Sequence, residues 1–123
     1  MVRQGVTEAP PKTPFILGFE CAGVVAAVAD DVESVKVGDR VVALPDHRAW
    51  AELVPVPAKY VYSVPEAMPL QEAAAVTLSY TVAYLLVHDL ANITSNHTVL
   101  LHSAGGAVVS AMDELLCWFL IYM

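Results

Sequence analysis

LHSAGGAVVSAMDELL, residues 101–116, is the stretch that decides how the C-terminal half of this chain folds. A short apolar segment runs into Gly105 and Gly106, and apolar residues then recur at helical spacing. A strand, a glycine turn and a helix in this order are typical of the start of an α/β unit. We therefore predict a strand over 98–102 and a helix from about Val108.

The N-terminal half has a different pattern, in which short apolar segments alternate with turn residues. The predicted strands cover 21–29, 40–44, 50–56 and 61–64. Pro55 and Pro57 push the third of these toward a sheet edge or a strand end. Strands this short, at this spacing, indicate a small barrel or sandwich.

Helical spacing begins after residue 67. Pro69 lies near the predicted first turn, and Gln71 and Glu72 lie at the positive end of the helix dipole. The spacing predicts a helix that runs to about Leu90. The fold class is therefore mixed α/β, with a β-rich part followed by the beginning of an α/β part. Because a parallel sheet needs further strands, we expect the α/β part to be truncated.

Composition limits the classes of function. The chain has 123 residues and a formal net charge of −7, which indicates about one domain and argues against nucleic acid as a partner. Its two cysteines lie far apart and form no CxxC motif, so we expect a reducing, cytoplasmic setting. The glycosylation sequons at Asn92 and Asn96 are then expected to be silent.

No membrane segment is predicted. The first twelve residues, MVRQGVTEAPPK, are too polar for a signal-peptide core. No apolar run reaches the ~20 residues that span a bilayer. The C-terminal run LLCWFLIYM, residues 115–123, is more typical of a short buried helix or strand.

Four stretches in this order resemble the medium-chain dehydrogenase/reductase superfamily: GFECAGVV (18–25), VGDRVVAL (37–44), EAAAVTLSYTVAYLLV (72–87) and VLLHSAGGAV (99–108). Within that superfamily the chain is similar to the zinc-independent quinone oxidoreductase branch, and especially to the vesicle amine transport protein homologues. The resemblance extends through about Ala111.

The resemblance implies three parts. These are a partial GroES-like catalytic domain over 1–66, a connecting helix and loop over 67–95, and the truncated start of a Rossmann nucleotide-binding domain over 96–123. It implies that this chain is a fragment that begins within the first domain and stops within the first Rossmann helix. In the intact relative, NADPH and the substrate lie between the two domains.

The resemblance also implies that no metal takes part. Zinc-dependent relatives carry Gly-His-Glu where this chain has Gly18-Phe19-Glu20, and a phenylalanine cannot ligate zinc. The four histidines show no ligand spacing, and Cys21 is more typical of a small core thiol. We therefore predict no metal ligand, and hydride transfer directly from the nicotinamide.

Two polar residues of the strand region need partners. Glu20 either orients groups in the cleft or bonds to the backbone or to Arg40, because an unpaired buried carboxylate is costly. Gly38 provides a backbone that allows positive φ, Asp39 accepts turn amides, and Arg40 pairs with a carboxylate. We expect the Gly38–Arg40 stretch to be structural.

The expected cofactor site is the glycine turn. Relatives show AGGGVG, whereas this chain has Ala107 and Val109 at two of the glycine positions. The predicted cofactor-binding residues are Gly105, Gly106, Ala107 and, from the resemblance, Thr81. A valine crowds the place where the helix meets strand or phosphate.

Further features of the sequence weaken the expected site. Asp113 and Glu114 would repel a diphosphate if they pointed inward, and the chain has no room for the acidic residue that would hold a ribose. The full fingerprint therefore fails, and we expect weak or absent NADPH binding.

Two hypotheses for function follow. The first is a piece of an NADPH-dependent oxidoreductase that reduces a quinone or enone, with no catalytic residue of its own because the cofactor carries the chemistry. The second is a catalytically inactive form that acts through protein or membrane-surface association. Homo-oligomerisation and peripheral membrane contact stay open under both hypotheses.

Overall fold

A computed structural model describes residues 12–121 of the chain, and its N-terminal part contains a three-stranded antiparallel sheet. Strand β1 is Cys21–Val24, β2 is Arg40–Ala43 and β3 is Val61–Ser63, in the spatial order β1-β2-β3. Cys21 lies opposite Ala43, and Val42 lies opposite Tyr62. The two hydrophobic strand residues Val41 and Val42 are buried, so the central strand carries the core of the sheet.

The connection from β1 to β2 covers residues 25–39, and backbone hydrogen bonds close it at its base. The Gly38 amide donates to the Val25 carbonyl at 2.9 Å, and Gly38 adopts φ +93°, which a glycine tolerates without steric cost. The Asp39 carboxylate accepts a bond from the Lys36 amide at 2.9 Å. The structural roles predicted for Gly38 and Asp39 are thus confirmed.

The predicted strand over 50–56 is wrong. Irregular chain occupies this range, although the Trp50 amide donates to the Leu17 carbonyl at 2.9 Å and the Ala49 amide to Gly18 at 3.1 Å. Prolines at 55 and 57 have no N–H to donate, so a regular ladder cannot extend through this range. A 3₁₀ turn, Ala58–Tyr60, then leads into β3.

Two helices form the rest of the described chain. Helix α1 is Leu70–Tyr84 and continues as a π-helical segment, Leu85–Leu90, so the predicted end at about residue 90 is confirmed. Helix α2 is Ala107–Ile121. The C-terminal run, expected to be a short buried helix or strand, is helical to residue 121. Leu116 is buried but Trp118 is 65% exposed, so the expected burial holds only in part.

The hydrophobic core is divided into two clusters. The sheet cluster consists of Val42, Val64 and Ala73, and the helix cluster consists of Val87, Ile93 and Leu116. Ala73 belongs to α1 and Val87 to its π-helical continuation, so one continuous helical rod joins the clusters.

The predicted strand over 98–102 does not form a ladder. This range is irregular between the loop after Ala91 and the glycine turn, and it pairs with no strand in residues 12–121. The residues are apolar, as in a strand, but a strand forms only where a second backbone satisfies its N–H and C=O groups. The mixed α/β class is confirmed, and the domain boundaries stay a prediction. The polar N-terminal residues 1–11 lie outside the described range.

One helix of the described residues is long and apolar enough to cross a bilayer by length and composition. This is the helical rod Leu70–Leu90, which has 21 residues and a mean hydropathy of 1.3. The absence of a membrane span stays a prediction. The rod packs against β1, β2 and α2, as the core helix of a folded domain also does.

Candidate functional site

The glycine turn lies where segment 98–102 meets helix α2. The Gly106 amide donates to the Ser103 carbonyl at 2.8 Å, and the Ser110 amide donates to the Gly106 carbonyl at 2.9 Å. The Ser110 hydroxyl also reaches back to the Ala104 carbonyl at 3.3 Å. The turn is therefore held to the first turn of α2 by main-chain and side-chain bonds.

Ser103 is the residue of this turn that adopts a left-handed backbone conformation, and the two glycines do not. Ser103 adopts φ +66°, whereas neither Gly105 nor Gly106 has a φ in the left-handed region. A Cβ added at Gly105 would meet nothing within 4 Å, and one at Gly106 would lie 3.3 Å from the Ser103 carbonyl. The space over Gly105 is open, so a ligand can approach the backbone there.

Helix α2 offers free donors at this end. The first hydrogen bond of the helical ladder runs from the Ser110 amide to the Gly106 carbonyl. The amides of Ala107, Val108 and Val109 come before it and have no acceptor within the helix. Such amides, together with the positive end of the helix dipole, favour an anion. Ala107 begins the helix and is exposed, and Val109 is half-buried. The chemistry of this end of α2 therefore fits one phosphate group.

The acidic residues of α2 lie away from the turn. The first turn of α2 contains no acidic residue, and Asp113 is exposed about 9 Å along the helix axis from its start. The Glu114 carboxylate accepts a hydrogen bond from the Tyr80 hydroxyl, which ties α2 to α1. That bond raises the pKa of the Tyr80 hydroxyl, and the negative charge of Glu114 adds to the effect.

Thr81 is placed on α1, beside the residue that bonds to α2. Its hydroxyl donates to the Thr77 carbonyl at 2.6 Å, and its side chain is exposed. Thr77 makes the same kind of bond to Ala73. The structure thus joins the helices that carry Thr81 and the glycine turn, but the Thr81 hydroxyl bonds to its own helix and to no other described residue.

Arg40 forms a clamp instead of the predicted ion pair. Its guanidinium donates to the carbonyls of Pro65, Glu66 and Met68 at 3.1, 2.5 and 2.6 Å. These carbonyls precede α1, and of the three the Pro65 carbonyl also accepts the Met68 amide at 3.0 Å. Arg40 therefore ties β2 to the start of α1. The predicted pairing with a carboxylate is therefore wrong, and Glu20 Oε2 is buried without a hydrogen-bond partner in the described part of the chain.

The residues around Glu20 bear on the metal question. Phe19 is 52% exposed, and residues 12–121 contain no group of three or more metal-ligating side chains. Burial raises the pKa of the Cys21 thiol, whose Sγ lies 3.9 Å from the Ala43 carbonyl. A half-buried thiol of this kind is a weak nucleophile, because the thiolate is the reactive form.

With this geometry in place, comparison with known proteins identifies the class. Residues 1–66 match the model of the alcohol dehydrogenase GroES-like domain, and this match covers more than half of the chain. The chain belongs to the alcohol dehydrogenase GroES-like domain family.

Individual relatives agree with this assignment. Human synaptic vesicle membrane protein VAT-1 homolog-like is 45% identical over 115 residues, which cover 94% of this chain and 27% of that protein. A probable quinone oxidoreductase of Schizosaccharomyces pombe is 41% identical over 116 residues, covering 94% of this chain and 35% of that protein. The resemblance to the quinone oxidoreductase branch is confirmed.

Solved structures show the same similarity. The crystal structure of the human VAT-1 homolog-like protein gives a TM-score of 0.92 at 44% identity, covering 96% of this chain and 38% of that one. Mycobacterial Rv1454c, solved in complex with NADPH, gives 0.84 at 30% identity, covering 90% and 35%. The chain thus spans about a quarter to somewhat over a third of the length of these proteins.

Sequence reasoning missed two features of the site. The Tyr80–Glu114 bond joins residues 34 positions apart, and no local pattern in the sequence indicates it. The left-handed Ser103 was also missed, because the adjacent glycines are the residues expected to adopt positive φ.

Proposed function

We propose that this chain is part of an NADPH-dependent, zinc-independent oxidoreductase that transfers hydride to a quinone or an enone. The observation that carries the proposal is the open glycine turn at the start of α2, with three amides ahead of the helical ladder. Family membership and the named quinone oxidoreductase relative support the reaction class. Phe19 in place of a ligating histidine supports a reaction without zinc.

Three residues of the turn and one of α1 are the proposed cofactor contacts. Gly105 and Gly106 let a phosphate approach the backbone, and the Ala107 amide donates to it. Thr81 faces outward from α1 and keeps acceptor lone pairs on its hydroxyl. Bound NADPH supplies the hydride, and these residues bind and orient it.

We expect this chain to bind NADPH weakly. Ala107 puts an exposed methyl group at the turn, and Val109 puts a branched side chain where relatives have glycine. The remaining anion attraction comes from main-chain amides and the helix dipole, which is worth about 0.3–1 kcal/mol at a surface. A single anion subsite of this kind orients a dinucleotide poorly.

The test is an NADPH titration followed by fluorescence. We expect little or no saturable change with the natural sequence at micromolar NADPH, and tighter binding by about tenfold in the double variant A107G/V109G. Ala26→Gly, an exposed position remote from the turn, is the matched control. Saturable micromolar binding by the natural sequence would contradict the expected weakness. An unchanged affinity in the double variant would contradict the placement of the site.

A second candidate function is a catalytically inactive form that acts by association. Its supporting observation is the number of large apolar side chains that are more than 70% exposed: Trp50, Leu53, Leu90 and Leu100. Such side chains favour contact with a protein or the surface of a membrane. Flotation with phosphatidylcholine vesicles and a quinone turnover assay separate the oxidoreductase from the inactive form. A chain that floats with the vesicles and does not reduce quinone supports association.

A further inference from the structure

The loop that follows the helical rod contains a turn, residues 94–97, which closes on a histidine. The His97 amide donates to the Thr94 carbonyl at 3.0 Å, and the Thr94 amide donates to Nδ1 of the His97 ring at 3.0 Å. Just before the turn, the Ile93 amide donates to the Val87 carbonyl at 3.0 Å. The loop is thus held to the rod by a bond between main-chain groups, whereas the turn is closed through an imidazole.

The ring nitrogen that accepts the Thr94 amide must carry a lone pair. Nδ1 can do so only in neutral imidazole, because both ring nitrogens are donors in imidazolium. Histidine is the side chain whose charge ordinarily changes between pH 5 and 8. A second proton on the His97 ring therefore removes the acceptor of the Thr94 amide.

The Thr94 hydroxyl offers the protonated ring another bond. Thr94 Oγ1 lies 3.4 Å from the same Nδ1, and a hydroxyl can either donate or accept. We propose that turn 94–97 is a pH-sensitive switch, in which protonation of His97 exchanges the Thr94 amide for the Thr94 hydroxyl as the partner of Nδ1. The released amide then exchanges with water, and the connection between the rod and the glycine turn loosens.

The groups around the loop leave the His97 ring to Thr94. Ile93 packs this loop against Val87 of the π-helical segment and Leu116 of α2. The charged or titratable side chains of those two elements are His88, Asp89, Asp113, Glu114 and Cys117. None of them forms a hydrogen bond or an ion pair with His97 within residues 12–121. The switch therefore needs only Thr94 and His97, and it is independent of the cofactor site.

Amide hydrogen exchange followed by nuclear magnetic resonance tests the proposal on the natural sequence. The protection of the Thr94 amide, corrected for the intrinsic pH dependence of exchange, should fall about three- to tenfold from about pH 7.5 to about pH 5, as the loss of one hydrogen bond implies. The Ile93 amide should keep its protection, because its acceptor is a carbonyl. An unchanged Thr94 amide would overturn the proposal, and so would an equal loss at Ile93, since the change would then not be confined to the turn.

His97→Asn is the conservative variant. The side-chain carbonyl of asparagine can accept the Thr94 amide and does not titrate, so the protection of this amide should be the same at both pH values. His102→Asn replaces an exposed histidine outside the turn, and this matched control should keep the pH-dependent fall. A fall that persists in His97→Asn, or one that disappears in His102→Asn, would assign the pH dependence to another group and refute the switch.

Discussion

At the scale of single residues, Gly18 is the position where backbone and packing demands coincide. Gly18 adopts φ +94°, and a Cβ added there would lie 2.5 Å from Trp50 Cδ1 and 2.9 Å from the Trp50 amide. The Gly18 carbonyl also accepts the Ala49 amide. This close approach holds the segment before β1 to the loop after β2, which borders a cavity of about 360 Å³ lined largely by apolar side chains.

Gly18→Ala should therefore destabilise the protein by about 1–3 kcal/mol, because the methyl group both strains the backbone and collides with the Trp50 main chain. Chemical denaturation monitored by circular dichroism measures the change. Gly23→Ala is the control, since a Cβ at Gly23 would meet nothing within 4 Å. Equal stability of the two variants would show that this contact is not maintained in solution.

At the scale of elements, α1 holds the molecule together. It contacts β1, β2 and α2, and its Tyr80 hydroxyl bonds to Glu114 across the helix pair. Near its end, where the helix changes to the π form, the rings of Tyr84 and His88 contact each other at a tilt of 43°, with centroids 4.5 Å apart. The helices that carry Thr81 and the glycine turn are fixed to each other by this packing.

The Tyr80–Glu114 bond predicts a dependence of stability on alkaline pH. The pKa of Tyr80 is raised in the folded state, so the stability it contributes is fully present below the unfolded pKa of about 10. It is lost as the pH rises through the higher folded pKa. Urea unfolding from neutral to alkaline pH should show this loss in the natural sequence and a smaller one in Tyr80→Phe. Tyr62→Phe, which removes a hydroxyl from β3, should keep the natural profile, and an identical profile in Tyr80→Phe would contradict the bond.

At the scale of the whole molecule, two small clusters share one helical rod. The sheet cluster contains Ala73 of α1, and the helix cluster contains Val87 at the other end of the same rod. Because a break in either cluster removes support from the rod, the clusters should lose their structure together. We expect one cooperative unfolding transition for the two parts.

Leu116→Ala tests this coupling from the helix cluster. Leu116 is 7% exposed, so its truncation should cost about 2–5 kcal/mol. Thermal unfolding should shift as a single transition, with the tryptophan signal and the far-ultraviolet signal moving together. Leu90→Ala, at a 76% exposed position, should change stability by less than about 0.5 kcal/mol. Two separated transitions in Leu116→Ala would contradict the coupling.

Much of the molecule was predictable from local pattern. The small and β-branched residues that follow the Gly-Asp turn predict the strand Arg40–Ala43. The helical spacing of the apolar residues predicts α1. The failures arose where the outcome depends on distant partners. Arg40 was expected to pair with a carboxylate, but its guanidinium donates to three carbonyls of the turn before α1.

The candidate site divides in the same way. The order of elements, the family and the position of the glycine turn were predictable from the sequence, because these depend on residue type and spacing along the chain. The three-dimensional structure was needed to show that Ser103 takes the left-handed conformation, that Glu114 bonds to Tyr80, and that 98–102 pairs with no strand in residues 12–121. Each of these three features depends on which groups come together in the folded chain. A hydrogen bond or a strand ladder needs two partners, and the local sequence around one partner does not identify the other.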